Sequence, residues 1–242
     1  MFKKLVLSAA LLAVSNANAD TITQWNFNSA TPDANTSTGS IIASIGTGSL
    51  SALAGVTASF ASGSANGGSS DTAPIADNSG YGTTAYSAQG AGNKTRGVQY
   101  NVSTVGFEDI LVSYDLRHSN TSSRYEQFQY SLDGSNFIDF ALFDGNAGDK
   151  WFNNRSIDLS AITGADNNAN FAFRVVSAFA PTTSAYVAST AASTYATTGT
   201  WRFDMATVSG NVVVAVPEPE TYGMFLAGLG LIGFATRRNK AI

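Results

Sequence analysis

The chain has 242 residues, enough for one medium β domain or two small ones, and no cysteine, which excludes disulfides, thiolate metal sites, thiol nucleophiles and covalent haem attachment. Only 12% of its residues are charged and 44% are hydrophobic, with 23 Gly and much Ser, Thr, Ala and Asn, a balance common in exported bacterial surface proteins and unusual for a cytoplasmic enzyme. Between Asp20 and Val216 lie eight of the 13 basic and fifteen of the 17 acidic residues, a net charge of −7 without a basic cluster, which argues against nucleic acid and anionic lipid as partners of that segment.

The first segment, MFKKLVLSAALLAVSNANAD, reads as a secretory signal peptide over residues 1–19. Lys3 and Lys4 form a positive n-region and residues 5–14 a short apolar h-region. Ala17 and Ala19 form the small-x-small site for signal peptidase, so the exported chain is expected to begin at Asp20.

Residues 20–215 are expected to form an all-β domain. TITQWNF (21–27), GVQYNVSTV (97–105), DILVSYDLR (109–117), QFQYSL (127–132), NFAFRVV (170–176) and TWRFDMATV (200–208) alternate apolar and polar residues with period two. The alternation puts Ile110, Val112, Tyr114 and Leu116 inward and Ser113, Asp115 and Arg117 outward, and it puts Trp201, Phe203 and Met205 opposite Arg202 and Asp204. LDGSNF (132–137) and FDGNAGD (143–149) each carry Asp-Gly, a strong hairpin signal. Such strands, joined by Gly/Asn/Ser turns, fit an antiparallel β-sandwich of jelly-roll type, closed by pairing of the first strand with the last. Residues 28–95 are rich in small and polar residues and are read as long loops, with 62–80 and 183–200 flexible by composition.

Candidate chemistry in this domain is sparse. His118 is the only histidine and is expected in an exposed loop; one His without Cys makes a zinc site implausible, and no Gly-x-Ser-x-Gly elbow accompanies it. Asp115 with Glu126, Asp133 with Asp139, and Asp144 with Asp149 are the available carboxylate pairs, expected as turn and solvated-strand residues. No cofactor is expected, although the oxygen-rich turns holding Asp133, Ser135, Asn136, Asp144, Asn146 and Asp149 suit structural calcium in residue type. Tyr81, Tyr86, Tyr186 and Tyr195 fall in the loop regions, where they either pin loops to the sandwich, the favoured reading, or form a sugar-stacking platform.

The chain closes with VPEPETYGMFLAGLGLIGFATRRNK, and residues 216–242 read as a separate unit. Pro217 and Pro219 fix φ and bar helix, so Val216, Pro217, Glu218, Pro219 and Glu220 are expected to be extended and accessible. Residues 221–235 form an apolar run about 22 Å long as a helix, read as a single, short transmembrane helix. Arg237, Arg238 and Lys240 then act as a cytoplasmic stop.

This combination of Pro-Glu-Pro, apolar helix, Arg-Arg and upstream signal peptide resembles the PEP-CTERM sorting signal. The resemblance implies a substrate of an exosortase-like membrane enzyme in a Gram-negative bacterium. Such a protein is held briefly in the inner membrane, then processed and delivered to the cell surface or beyond, in exopolysaccharide-producing, biofilm-forming cells. Val216 to Glu220 would then be recognition residues, not catalytic ones. The body, from the Trp-x-Phe first strand to WRFDMATVSG, is also similar to the sandwich bodies of many PEP-CTERM proteins and loosely to carbohydrate-binding jelly rolls. The expected function is that of a non-enzymatic surface or matrix protein. The alternatives are a carbohydrate-binding module and, third, a polysaccharide hydrolase.

Overall fold

The alternating segments become strands in the computed structural model, which describes residues 19–213 and 227–229. Most of the signal peptide, including Ala17, lies outside the described residues, as do Val216 to Glu220, Arg237, Arg238 and Lys240. Residues 227–229 are helical, and among the described residues no helix is long and apolar enough to cross a membrane. The chain divides into two units, residues 1–212 and 213–242. The first of these carries all the strands described below.

In chain order the strands are β1 (Asp20–Trp25), β2 (Ser49–Ala52), β3 (Thr57–Ser62), β4 (Ser79–Thr84), β5 (Gly97–Asn101), β6 (Phe107–His118), β7 (Tyr125–Ser131), β8 (Ile138–Asp144), β9 (Lys150–Asp158), β10 (Ala172–Ala178) and β11 (Trp201–Val212). They form two antiparallel sheets, in the orders β3-β4-β11-β6-β9, with β1 also on β11, and β2-β5-β10-β7-β8. The fold is therefore a two-sheet antiparallel sandwich, as the alternation implies. The first and last strands pair as expected, with Asp20 opposite Gly210 and Trp25 opposite Ala206.

Period-two patterning places the core. On β6, Ile110, Val112, Tyr114 and Leu116 are all buried between the sheets. Tyr100, Phe173 and Phe128 come from three neighbouring strands of the second sheet. Tyr100 and Phe173 stack at 4.5 Å, Phe173 and Phe128 at 5.6 Å, and Trp25 of the first sheet meets Tyr100 edge-on at 5.2 Å. Aromatic pairs in these geometries add about 0.5–1.5 kcal/mol each beyond their buried area. A stacked layer of this kind bonds one sheet to the other without a disulfide.

β11 departs from simple alternation. Met205 sits at φ 45°, and the register against β6 shifts between Asp204 and Thr207. One inserted residue reverses the parity of everything after it. Trp201 and Phe203 point inward before the bulge, and Ala206 and Val208 do so after it, all fully buried, while Met205 turns outward instead of entering the core.

Three other expectations change. Residues 28–95 contain β2, β3 and β4, whose sequences SLSA, TASFAS and SGYGTT are too small and polar to announce strands. They are held by pairing with stronger neighbours, β2 on β5 and β4 on β11. The Asp-Gly of residues 132–137 does join the paired strands β7 and β8. FDGNAGD does not make a hairpin, because β8 pairs with β7 and β9 with β6, so this connection passes from one sheet to the other. The segment 183–200 is tied down by the Ser123–Ala188 bridge and by Gln89, which accepts from the Tyr186 N–H at 2.6 Å and donates to the Tyr186 carbonyl at 2.7 Å.

Gly97 shows how closely the second sheet is built. A Cβ there would stand 2.0 Å from the Val175 carbonyl oxygen and 2.8 Å from Val176 Cα, both backbone atoms that cannot yield independently. Gly97→Ala is expected to destabilise the body by about 1–3 kcal/mol, read as a lower thermal midpoint in calorimetry; an unchanged midpoint would contradict the packing described for β5.

Candidate functional site

Three polar arrangements stand out in the sandwich. The first is internal. His118 ends β6 with its ring edge-on to Phe152 and Trp201, fully buried and not in an exposed loop. Its strand runs one residue further than the alternation suggests, and Gly145 passes directly over the ring, where a Cβ would lie 2.6 Å from Nε2. Nδ1 is 2.9 Å from the Ser123 carbonyl, which can only accept, so Nδ1 carries a proton. Nε2 is 2.9 Å from Oε2 of Glu126 on β7 in the opposite sheet, which requires one proton between the two atoms. Arg155 of β9 completes the group: its Nε is 2.8 Å from Glu126 Oε1, an ion-pair contact although the N–H is not aimed along it. The guanidinium lies over the rings of Phe143 and Phe152 at 4.8 and 4.5 Å. Glu126 and His118 have no exposed surface, so this group joins the two sheets and offers no face to a substrate.

The second arrangement lies on the outer face of the first sheet, where solvated side chains were expected. Asp115 and Asp204 are direct cross-strand partners on β6 and β11, and both are buried. The covering is residues 63–78, folded down onto the sheet. Asp115 accepts from the N–H of Ser70 at 2.5 Å and of Asn154 at 2.7 Å. Asp204 accepts from the Ser69 hydroxyl at 2.6 Å and from the Met205 N–H at 2.8 Å. Burial, reinforced by the charges of Asp71 and Asp115, outweighs those two hydrogen bonds and pushes the Asp204 carboxyl up to about 8. The composition of residues 62–80 suggests a free loop because its Ser and Asp side chains carry no hydrophobic signal. They are consumed by hydrogen bonds that only the folded sheet provides.

The third is an open groove beside this covered patch. Across five strands, Ser59, Gly82, Arg202, Arg117 and Trp151 stand in register on one outer row. Gly80, two residues before Gly82, leaves room for the stem of Arg202, whose Cγ would be 2.7 Å from a Cβ there. Arg202 donates to the Ser62 carbonyl, and Arg117 pairs with Asp149. Burial and the neighbouring Arg202 lower the Arg117 guanidinium to about 10. At the end of the row, Trp151 lines an open groove of about 420 Å³. The lining is shared by Asn66, Gly67 and Gly68, in and after the 3-10 turn Ala65–Gly67, and by Asp149, Lys150 and Asn153. The indole N–H donates to the Ala65 carbonyl at 2.8 Å, which fixes the plane of the ring. Asn66 donates to Asp149 at 2.8 Å and Asn153 to the Gly68 carbonyl at 3.1 Å, so each presents its remaining amide oxygen as an acceptor. Trp151 escapes a search for loop aromatics because it is on a strand. The visible signal is the Trp-Phe doublet: consecutive strand residues face opposite ways, and Phe152 takes the core side.

The remaining candidates disperse. Asp115 is on the outer face of the first sheet, whereas Glu126, on β7 of the second sheet, is buried between the sheets. Asp133 caps its own turn through the N–H groups of Ser135 and Asn136, at 2.8 and 2.7 Å. Asp139 pairs with Lys94, and Asp144 makes a two-pronged contact with Arg124 at 2.7 and 2.6 Å. Among the described residues no three His, Cys, Asp or Glu side chains gather in a metal-holding group. Tyr81 is not in a loop but on β4, buried and stacked on Phe27 at 5.3 Å. Tyr86 and Tyr186 are buried and Tyr195 is half-buried, as pins of loops rather than a platform. Tyr186 stacks on Tyr195 at 4.6 Å, and the hydroxyl of Tyr195 donates to the Ser87 carbonyl at 2.6 Å.

Two outcomes follow from the buried charges. Glu126→Ala removes the carboxylate that faces His118 Nε2 and Arg155 Nε and is expected to cost about 3–5 kcal/mol in denaturant unfolding, with Glu126→Gln milder. Asp204 binds a proton in the folded state that the unfolded chain, with a carboxyl near 3.9, releases. Its contribution therefore favours folding at low pH and is lost as pH rises from about 4 to about 8. The slope is at most about 1.4 kcal/mol per pH unit. Asp204→Asn should flatten the thermal midpoint over that window, and an unchanged pH profile would contradict the burial argument.

Comparison with known proteins bears on both units. No curated protein matches the sequence. Among solved structures, the xylan-binding domain CBM22-1 of Xyn10C from Paenibacillus barcinonensis is 11% identical over 83% of this chain and 100% of its own, with a TM-score of 0.41. The CBM22-1–CBM22-2 tandem domain of the same protein is 11% identical over 86% of this chain and 53% of its own, with a TM-score of 0.45. The CBM22-1–GH10 modules of xylanase Xyn10B from Clostridium thermocellum, complexed with xylohexaose, are 15% identical over 69% of this chain, with a TM-score of 0.44. The chain spans only 27% of the length of that last structure. At these values no function passes from them to this chain. At the other end of the chain the finding is one of sequence: residues 215–239 match the PEP-CTERM protein-sorting motif, so the chain carries that motif.

Proposed function

We propose that this protein is exported and sorted by an exosortase-type pathway, and that its sandwich serves outside the cytoplasm as a non-catalytic surface or matrix module. The observation that carries this reading is the sorting motif at residues 215–239. In it, signal peptidase removes residues 1–19 after Ala17 and Ala19. The apolar segment then holds the body on the outer side of the inner membrane, with Arg237, Arg238 and Lys240 left on the cytoplasmic side. The exosortase-like enzyme reads Val216 to Glu220, where the prolines keep the chain extended. A non-catalytic body fits the engagement of its carboxylates: Glu126 and Asp204 are buried, and Asp133, Asp139, Asp144 and Asp149 each bond to a separate partner.

One observation favours a more specific reading, that the body is a carbohydrate-binding module: Trp151 lines an open groove together with amide and charged side chains. Saccharide recognition uses this combination of an aromatic plane and directed polar atoms.

Removal of residues 217–242 is expected to release the body into the periplasm or medium of the native host, read by fractionation and immunoblotting. Pro217→Ala with Pro219→Ala should leave an unprocessed, membrane-bound form of higher mass. A truncated protein found where the parent is found would overturn the sorting proposal.

A further inference from the structure

We infer that the Trp151 groove is the saccharide site of this protein and that it takes an uncharged pyranose ring of an extracellular polysaccharide. The inference rests on the carbohydrate-binding reading above and assigns it a place and a ligand class.

Several independent features converge on this groove. Trp25 and Trp201 are fully buried, which leaves the half-buried Trp151 as the one tryptophan that is not sealed in the core. Clefts of comparable size lie beside Asn101 and Asn170 (about 410 Å³) and beside Asn26 and Ser44 (about 380 Å³). The first has only the buried Phe171 in its lining and the second has no aromatic residue, so neither offers a stacking surface. Around Trp151 the backbone is constrained: Asn66, Asp149 and Asn154 adopt positive φ of 62, 45 and 56°. Such conformations in non-glycine residues persist where the surroundings enforce them, and they gather at binding sites. Gly67, which also lines the groove, has nothing within 4 Å of where a Cβ would stand, so the lining is open there.

Charge selects among saccharides. Arg117 is neutralised by Asp149, and among the described residues no carboxylate pairs with the rim residue Lys150. A single rim cation on a body of net charge −7 does not hold a polyanion at physiological salt. The Asn66 and Asn153 amide oxygens, already oriented by their own hydrogen bonds, suit the hydroxyls of a neutral sugar.

Because Trp25 and Trp201 are sealed, acrylamide quenching of tryptophan emission reports chiefly on Trp151. The test uses the full chain in a nonionic detergent free of sugar headgroups, with soluble β-glucan, galactomannan and arabinoxylan as neutral probes and alginate as the acidic one. At least one neutral polymer should protect Trp151 from quenching in the parent protein, with little change between about 50 and 500 mM salt. Trp151→Ala should weaken its binding at least about tenfold in affinity electrophoresis, and Trp151→Phe should restore most of it. If the parent binds a neutral polymer without protection and Trp151→Ala binds equally well, the site lies elsewhere and the carbohydrate-binding reading survives. If alginate alone binds, and binding falls with salt, the ligand class is wrong. If no polymer binds the parent, both readings fall.

Discussion

The sandwich depends on one strand that is hydrogen-bonded along both edges. β11 pairs with β6 on one side and with β4 and then β1 on the other. It places Trp201 and Phe203 in the core, Arg202 and Asp204 on the outer face, and it receives the first strand of the body at its far half. The bulge at Met205 is what makes these assignments compatible. Without it Ala206 and Val208 would face outward and Met205 inward. With it the two halves of one strand serve two different neighbours and keep a continuous apolar inner surface.

The parts of the fold that period two encodes were legible: six alternating segments became strands, and the pairing of the first with the last followed from both reading as sandwich strands. Three strands were not legible, because SLSA, TASFAS and SGYGTT form strands only by borrowing partners, and β propensity is largely a statement about neighbours. FDGNAGD misled for a related reason. Asp-Gly marks a turn, but a turn does not say whether the chain rejoins the sheet it left. The sorting motif was legible as a local pattern of prolines, apolar residues and arginines, which needs no tertiary context. The groove was not, because its residues come from an Asn-Gly-Gly turn and a strand about 85 positions apart, as in the contact from Asn153 to Gly68.

Polar burial was the feature that composition hid most thoroughly. A chain with 12% charged residues looks as though its few ions decorate turns. Instead Asp115, His118, Glu126 and Asp204 are all buried, in two groups on either face of the same sheet. The partners of three of them lie far away in sequence: Ser70 donates to Asp115, Ser69 donates to Asp204, and Arg155 is ion-paired with Glu126. In a cysteine-free domain these networks fix one arrangement of loop and sheet where apolar contacts alone would tolerate several. Residues 63–78, within the stretch read by composition as a flexible loop, are in this sense part of the sheet.

The placement of the groove has a mechanical meaning. Trp151 lies level with Arg117 and Arg202, at the start of β11, whereas the chain leaves the sheet towards its sorting tail after Val212, at the other end of that strand. A pull between these points runs parallel to the strands for roughly 35 Å. It loads the long β6–β11 ladder in shear, where many hydrogen bonds share the force at once, rather than peeling them apart one by one. On the proposed reading, in which a saccharide holds the groove and the tail holds the other end, the load would fall on that ladder in shear.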